Sequence, residues 1–379
     1  MVTQADMSER DGRFRRLRDA MAEADLEALI VAGKGHWWTG RGYFRYLTDF
    51  HLWGHDGLIL VPLEGEPMLT LTSAAVARRI GKRGWITDVH GDPDIAVKVV
   101  DAMKQRNMTQ GRVGIAGHRF IISAGTYELL NESLPTVDFV NADRVMDRVR
   151  APKSSLEIEQ NFELWDLAKE AMSAFVEALE PGRSQLEVLS EPVQVVAAGG
   201  GRDTLIFFNG EVPSDKPVEL EDILGYHMEI CGPSGHWCEL TLTLAFREPT
   251  DREVRLMESE LRAYEKIREM AKPGVRIQQL AEVFEEVLLQ DGWQLAADQP
   301  AHYDFHGQGM DVIEWPYYGP LDIREGDAEL QEGMVFSYHP RRKVIPEVRS
   351  TGFNEDILIT NDGAVRLSGD WGLRWRPME

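Results

Sequence analysis

The feature that most limits what this chain can become is a pattern that occurs twice in its second half. The stretch "NFELWDLAKEAMSAFVEALEPG" places Leu164, Leu167, Ala171, Phe175 and Ala178 on one face of a helix and stops at Pro181-Gly182. A second helix opens at Ser184 with Glu187 three residues on, a capping box, and leads through glycines to the strand-like "DTLIFFNG". The same order returns: "DREVRLMESELRAYEKIREMAKPG" is capped by Thr250 with Glu253 and closes at Pro273-Gly274, an offset of about 92 residues. Next come "IQQLAEVFEEVLLQDG" and "HYDFHGQG", so that Asn209-Gly210 of the first copy falls opposite His306-Gly307 of the second. Further strands are predicted over 223–231 and 236–246 in one copy, and over 334–339 and 355–360 in the other. Two α/β halves of one pattern pack as a pseudo-twofold pair around a shared cleft.

The first 150 or so residues read differently. "LEALIVAG", "GLILVPL", "EPMLTLT" and "GRVGIAG" are short apolar runs bounded by Gly, Pro or Asp, as buried strands are, with helical stretches such as "RFRRLRDAMAEADL" and "SAGTYELLNESL" among them. "RVRAPKSSLEIEQ" is a basic, Pro- and Ser-containing joint, which predicts an α/β domain over 1–152 and a second domain over 153–379.

Composition removes several classes of function. A net charge of −22 disfavours nucleic acid and anionic membrane as partners. No window approaches a membrane span, and "MVTQADMSERDGRFRR" has no apolar core of a secretory leader. Two cysteines, Cys231 and Cys238, suit a reducing cytoplasm and read as packing residues. "AAGGGRD" follows a helix and precedes a strand, the reverse of a phosphate-binding loop, and reads as a chain reversal.

What remains is a constellation of polar residues on strands. His227 and Glu229 in "YHMEICG" lie two apart and share one face, and Glu239 follows a Gly-Pro-Ser-Gly turn in "HWCELTLT". His306, His339 and Glu355 come from the second copy, with His339 at the end of "EGMVFSYHP", where Pro340 stops the ladder. Carboxylates and imidazoles gathered on one side of a sheet suit either a divalent cation or paired acid and base groups. "EWPYYGP" adds Trp315, Tyr317 and Tyr318, which read equally as packing or as a substrate wall, and Asn209 is the nearest polar group in the first copy.

These segments, in this order over two pseudo-repeats, resemble the pita-bread family of creatinases, prolidases and methionine aminopeptidases. "HGQG" is similar to the family's His-Gly-x-Gly, "EGMVFSYHP" to its Gly-Met-Val-hydrophobic-x-Glu-Pro, and "NEDILITNDG" to its terminal Glu-Asp strand. "RAPKSSLEIE" resembles its linker, and the preceding domain its creatinase/prolidase N-terminal domain. The resemblance implies an α/β (α+β) chain with a pita-bread catalytic domain. It also implies a homodimer in which the partner's N-terminal domain closes the site. In that case "GHWWTGRGYFRYLTDFHLWGHDG", with Trp37, Trp38, Arg41, Tyr46, Trp53 and His55, either supplies the wall or packs the dimer contact.

The family's metallopeptidases hold two metal ions with two aspartates, a histidine and two glutamates. The matching positions here are Glu229, Glu239, His306, His339 and Glu355, so three of the five residue types differ. Glu229 and Glu239 also lie ten residues apart, one closer than is usual in the family. The cofactor expectation is one or two divalent ions (Mn, Co, Zn or Fe), or a metal-free site as in creatinase. The peptidase histidine seven residues after His306 is Ile313, and the arginine after the second ligand strand is Leu242.

The resulting expectation is a cytoplasmic hydrolase of a non-peptide C–N bond in a small polar metabolite, of creatinase or ectoine hydrolase type. Its catalytic groups are drawn from His339, Glu229, His306, Glu355 and His227, and its substrate contacts from Asn209, Trp315, Tyr317 and Tyr318. A metal-dependent Xaa-Pro dipeptidase is the alternative reading. A lyase or a non-catalytic small-molecule binding protein on the same fold stands behind both.

Overall fold

The computed structural model describes residues 4–35, 40–82, 84–180, 182–218, 223–297, 305–319, 326–339, 342–348, 354–369 and 376–377. The chain divides into two compact units, Met1–Arg150 and Ala151–Glu379.

The first unit is built from α1 (Gln4–Glu23), β1 (Ala28–Lys34), α2 (Gly42–Thr48), β2 (Asp56–Pro62), β3 (Met68–Leu71), α3 (Ala74–Ile80), β4 (Asp88–Gly91), α4 (Ile95–Gln105), β5 (Gly111–Ala116), α5 (Ala124–Ser133), β6 (Val137–Asn141) and α6 (Asp143–Arg150). Its strands form one mixed sheet in the order β4-β3-β2-β1-β5-β6. The four apolar runs predicted as strands are β1, β2, β3 and β5. On one face Ile30, Leu60, Val113 and Ile115 pack with Val99 and Met103 of α4 and Leu130 of α5. Gly33 is required in β1, because a Cβ there would lie 2.7 Å from the Cβ of Phe44 on α2.

The second unit opens with α7 (Ser155–Ala178), α8 (Gln185–Ala198), β7 (Asp203–Phe208), β8 (Ile223–Cys231) and β9 (Trp237–Ala245). It continues with α9 (Asp251–Met270), α10 (Ile277–Gln290), β10 (Gln294–Leu295), β11 (Phe305–Gly307), β12 (Glu314–Tyr318), β13 (Val335–Tyr338), β14 (Val344–Ile345), β15 (Glu355–Thr360), β16 (Gly363–Arg366) and β17 (Arg376–Pro377). Two sheets result, β17-β9-β8-β7 and β12-β11-β13-β15-β16, each with its own helix pair, and the short β10 and β14 pair separately. Antiparallel β7-β8-β9 and β11-β13-β15 are the two copies of the repeated pattern.

The capping boxes at Ser184 and Thr250 are both present, and a further one forms at the start of α7, where Ser154 accepts from the Glu157 amide. Each such cap contributes about 1 kcal/mol. Pro181 lies outside the described residues, and α7 ends at Ala178.

Strand parity decides which side chains meet helices and which meet the opposite sheet. Tyr226, Met228 and Ile230 of β8 and Leu240 of β9 pack on Phe175, Ala171 and Leu164 of α7. Phe175 and Tyr226 stack with ring centroids 3.5 Å apart. In the second copy Phe305, Phe336, Tyr338 and Ile357 pack under Tyr264 and Phe284 of α9 and α10. The alternate positions, His227, Glu229 and Glu239 in one sheet and His306 and Ser337 in the other, therefore point away from the helices.

Candidate active site

Glu229 and Glu239 are direct cross-strand partners on β8 and β9, so both carboxylates leave the sheet on one side. Glu239 is wholly buried and is the centre of the cluster. Its Oε1 lies 3.3 Å from His306 Nε2, and its Oε2 lies 3.6 Å from His339 Nε2. The Asn354 Nδ2 donates to Oε2 at 3.0 Å, and the Ser337 hydroxyl is 3.3 Å from the same oxygen. The Glu239 backbone N–H donates to Asp356 Oδ2, which also accepts from Trp165 Nε1. Burial raises the Glu239 pKa, with the His306 ring opposing the rise and Glu229 adding to it. Burial likewise holds Asp356 well above the usual carboxylate range, with the Glu239 charge adding to the effect.

The tautomer of His306 follows from its surroundings. A carbonyl only accepts, so the contact of Nδ1 with the Gly307 carbonyl at 3.1 Å places the proton on Nδ1. Nε2 of the neutral ring then offers a lone pair to the Glu239 carboxylate, and two acceptors 3.3 Å apart require a proton or a cation between them. His227 is arranged differently. Its Nδ1 is 3.0 Å from the Thr241 hydroxyl and its Nε2 is 3.1 Å from Glu229 Oε1, so both ring nitrogens are engaged within the protein. The other Glu229 oxygen, Oε2, is buried and meets no hydrogen-bond partner among the described residues.

Two groups of three side chains bring ligand atoms within 4.8 Å of one another: Glu239, His306 and His339, and His227, Glu229 and Glu239. The donor set therefore fits a divalent cation. The first group, with two imidazoles and one carboxylate, matches the ligand chemistry of zinc and related ions.

Glu355 does not join this cluster, which corrects the expectation. It pairs with Tyr338 across β13 and β15 on the helix side of the sheet. There it accepts from the Tyr338 hydroxyl at 3.1 Å and lies 2.8 Å from Arg366 Nε. Burial pushes its pKa up to about 8, opposed by the Tyr338 hydrogen bond and by Arg268. Asn354, one residue earlier, faces the cluster in its place, because neighbouring strand residues point to opposite faces.

The substrate-contact expectations divide in the same way. Tyr317 is opposite His306 in the β11–β12 ladder and stacks on its ring at 6.4 Å. Trp315 and Tyr318 instead pack on the hydrophobic cluster beneath α9 and α10. Asn209 is an exposed turn residue at φ 50°, whose Oδ1 accepts from the Gly225 amide. Ile313, at the peptidase-histidine position, packs on Cys231, Trp237 and Val312.

Three contributors were not read from the sequence. Lys153 forms a buried ion pair with Glu314 at 2.9 Å, and Glu314 Oε1 accepts from the Met310 and Asp311 amides, which holds the loop that follows His306. Glu157 meets the buried ring of His236 at 3.4 Å, at the hairpin that joins β8 to β9. Gln308 is fully buried, and neither end of its amide finds a partner among the described residues, which leaves it available to water or ligand. Its signal in the sequence was a polar residue between two glycines directly after His306.

In the aromatic segment of the first unit, Trp37 and Trp38 lie outside the described residues. Tyr46 is buried and accepts from Arg16, Arg41 lies 2.9 Å from His51 Nε2, and Trp53 is 66% exposed. His55 is partly buried in the loop before β2.

Comparison with known proteins agrees with this architecture. The model of metallopeptidase family M24 matches residues 142–361, more than half the chain, and that of the creatinase/prolidase N-terminal domain matches residues 13–151. A Xaa-Pro dipeptidase of Pyrococcus furiosus is 25% identical over 73% of this chain and 79% of its own length. An ectoine hydrolase of Halomonas elongata is 24% identical over 94% of each chain. Among solved structures, the prolidase of Pyrococcus horikoshii superposes with a TM-score of 0.75 and 22% identity, covering 94% of this chain and 97% of that one. The chain belongs to metallopeptidase family M24, with a creatinase/prolidase-type N-terminal domain ahead of a pita-bread unit, and is a hydrolase of that family.

Proposed function

We propose that this enzyme hydrolyses a non-peptide C–N bond in a small polar metabolite. The observation that carries the reading is the make-up of the cluster: three imidazoles and two carboxylates, with apolar Ile313 packed into its neighbours at the peptidase-histidine position. Such a site is rich in groups that move protons and lacks a group dedicated to a peptide amide.

In this reading the Glu229 Oε2 atom, buried and open to ligand, takes a proton from the attacking water. Glu229 then passes that proton to the departing nitrogen, so that hydroxyl goes to carbon and hydrogen to nitrogen, while His227 holds the other Glu229 oxygen in place. His306 and His339 flank Glu239, each with a ring nitrogen turned toward its carboxylate. A divalent cation bound by Glu239, His306 and His339 would supply Lewis acidity and lower the pKa of a bound water. Tyr317, stacked on His306, is the aromatic wall.

Cytoplasmic residence and a homodimer belong to the same proposal. No described helix is long and apolar enough to cross a membrane, and the exposed Trp53 is a side chain that a second copy would cover. Light scattering would return one chain's mass if the dimer is wrong.

The Xaa-Pro dipeptidase reading is supported by the Pyrococcus relative, which matches at a similar level of identity to the ectoine hydrolase. A panel of linear guanidino acids, cyclic amidines and Xaa-Pro dipeptides separates the two. Turnover confined to the dipeptides would overturn the proposal.

A further inference from the structure

We propose that the site is built for a single divalent cation, held by Glu239, His306 and His339 with an open fourth position, and that the Glu229–His227 pair stays outside its coordination. The inference rests on the functional reading for the active centre and for a cation at Glu239, His306 and His339, and adds the number of ions and the exclusion of Glu229 and His227 from coordination.

Charge is the first support. Of the carboxylates in the two candidate groups, only Glu229 and Glu239 are present, a formal −2 that one divalent cation offsets. The next buried carboxylate on this face, Asp356, is not in either group: its Oδ2 is taken up by the Glu239 amide and Trp165 Nε1, so a second ion would rest on the same two carboxylates.

The second support lies at the place where a second carboxylate would be needed. Glu355 points to the other face of β15, toward Tyr338 and Arg366. Asn354 faces the cluster instead, and both ends of its amide are engaged: Nδ2 donates to Glu239 Oε2 at 3.0 Å, and Oδ1 accepts from the Ser337 hydroxyl at 2.9 Å. Turning the amide over would set its oxygen against the carboxylate, so the orientation is fixed by its partner. A hydrogen-bond donor therefore faces Glu239 where the sequence had led to the carboxylate of Glu355.

Ligand geometry is the third. Bonds of about 2.0–2.1 Å in tetrahedral coordination place neighbouring ligand atoms roughly 3.3 Å apart. His306 Nε2 and Glu239 Oε1 are separated by that distance, 3.3 Å, and one ligand atom from each of Glu239, His306 and His339 lies within 4.8 Å of the others. The Gly307 carbonyl fixes the proton of His306 on Nδ1 and turns Nε2 toward the site, as the outer partner of a metal-binding histidine does. His227 has no such freedom, because Thr241 and Glu229 engage both of its nitrogens. Two imidazoles and one carboxylate with an open position form the donor set of mononuclear hydrolytic zinc centres.

The experiment is a metal count on the purified full chain, loaded with zinc or manganese, freed of excess and measured by elemental analysis. One equivalent is expected. Glu239→Gln and His339→Ala should lose it, whereas Glu355→Gln should keep it. Asn354→Asp, which turns the donor into a carboxylate, should raise the count toward two. Cobalt-loaded protein should show the intense visible absorption of a four-coordinate ion, and this absorption should vanish in His339→Ala. Circular dichroism on each variant separates loss of the ion from loss of the fold. Two equivalents on the unaltered chain, none at all, or loss of the ion in a folded Glu355→Gln variant would each overturn the proposal. Turnover of dipeptides by protein carrying one equivalent would overturn the functional reading and leave this one standing.

Discussion

Replacing Lys153 by Met tests how the loop carrying the site is held. The ammonium group and the Glu314 carboxylate are 2.9 Å apart, with each side chain only 2% exposed. Without the lysine, Glu314 keeps its bonds from the Met310 and Asp311 amides but loses the buried ion pair with Lys153. Breaking a buried pair from one side costs about 3–5 kcal/mol. In a unit of this size each kcal/mol lowers the melting temperature by roughly 2–4 °C, so a drop on the order of 10 °C is expected. Glu314→Gln keeps most of the volume and accepts the same amide bonds, so the double variant should recover about 1–2 kcal/mol relative to the sum of the single changes. Thermal and urea unfolding of the three variants measure this directly. A Lys153→Met protein that melts within about 2 °C of the unaltered chain would refute the idea that this pair holds the loop.

Other consequences follow from the same contacts. Hydrogen bonds from Arg247, with the Thr250 amide and hydroxyl, hold the Glu253 pKa down to about 2. The unfolded value is about 4.3, so this stabilisation is present above that pH and is lost as the pH falls toward 2. Glu253→Gln should therefore flatten the acid limb of the stability curve; an unchanged limb would show that the contact is silent. Phe175→Ala removes the ring that stacks on Tyr226 in the first core and should cost about 3–5 kcal/mol in urea unfolding, a cost under 1 kcal/mol counting against this packing. Asn209→Gly should leave turnover within about twofold and stability within a few tenths of a kcal/mol, since glycine also accepts the positive φ of that turn. A large loss of turnover would return Asn209 to the site.

Much of the architecture was legible because the repeat is written in helix stops and caps, which act locally. Ser184–Glu187 and Thr250–Glu253 are capping boxes in the sequence and in the structure. The one at Ser154 was hidden by its Pro- and Ser-rich setting, which reads as a joint. The polar face was legible as far as β8 and β9, where the polar residues alternate with Tyr226, Met228 and Ile230.

On β15 the alternation is silent. Ile357 and Ile359 pack on one side and Leu358 on the other, so apolar residues occupy both parities and motif position alone led to Glu355. A one-residue shift was enough to exchange a carboxylate for the Asn354 amide. Asn209 failed for a related reason: the repeat aligns it with His306, but β7 ends at Phe208 and the chain turns there, while β11 runs on to Gly307. Trp315 and Tyr318 could not be separated from Tyr317 in the sequence, because a bulge between His306 and Gly307 shifts the register of the strand opposite.

The central claim is that the polar face shared by β8, β9, β11 and β13 performs the chemistry. Its most direct test is the turnover of Glu229→Gln, measured on whichever C–N substrate the unaltered protein hydrolyses and alongside its melting temperature. Loss of the general base should lower kcat by about 10²–10⁴-fold with the melting temperature unchanged. A variant that turns over within about twofold of the unaltered enzyme would contradict the account.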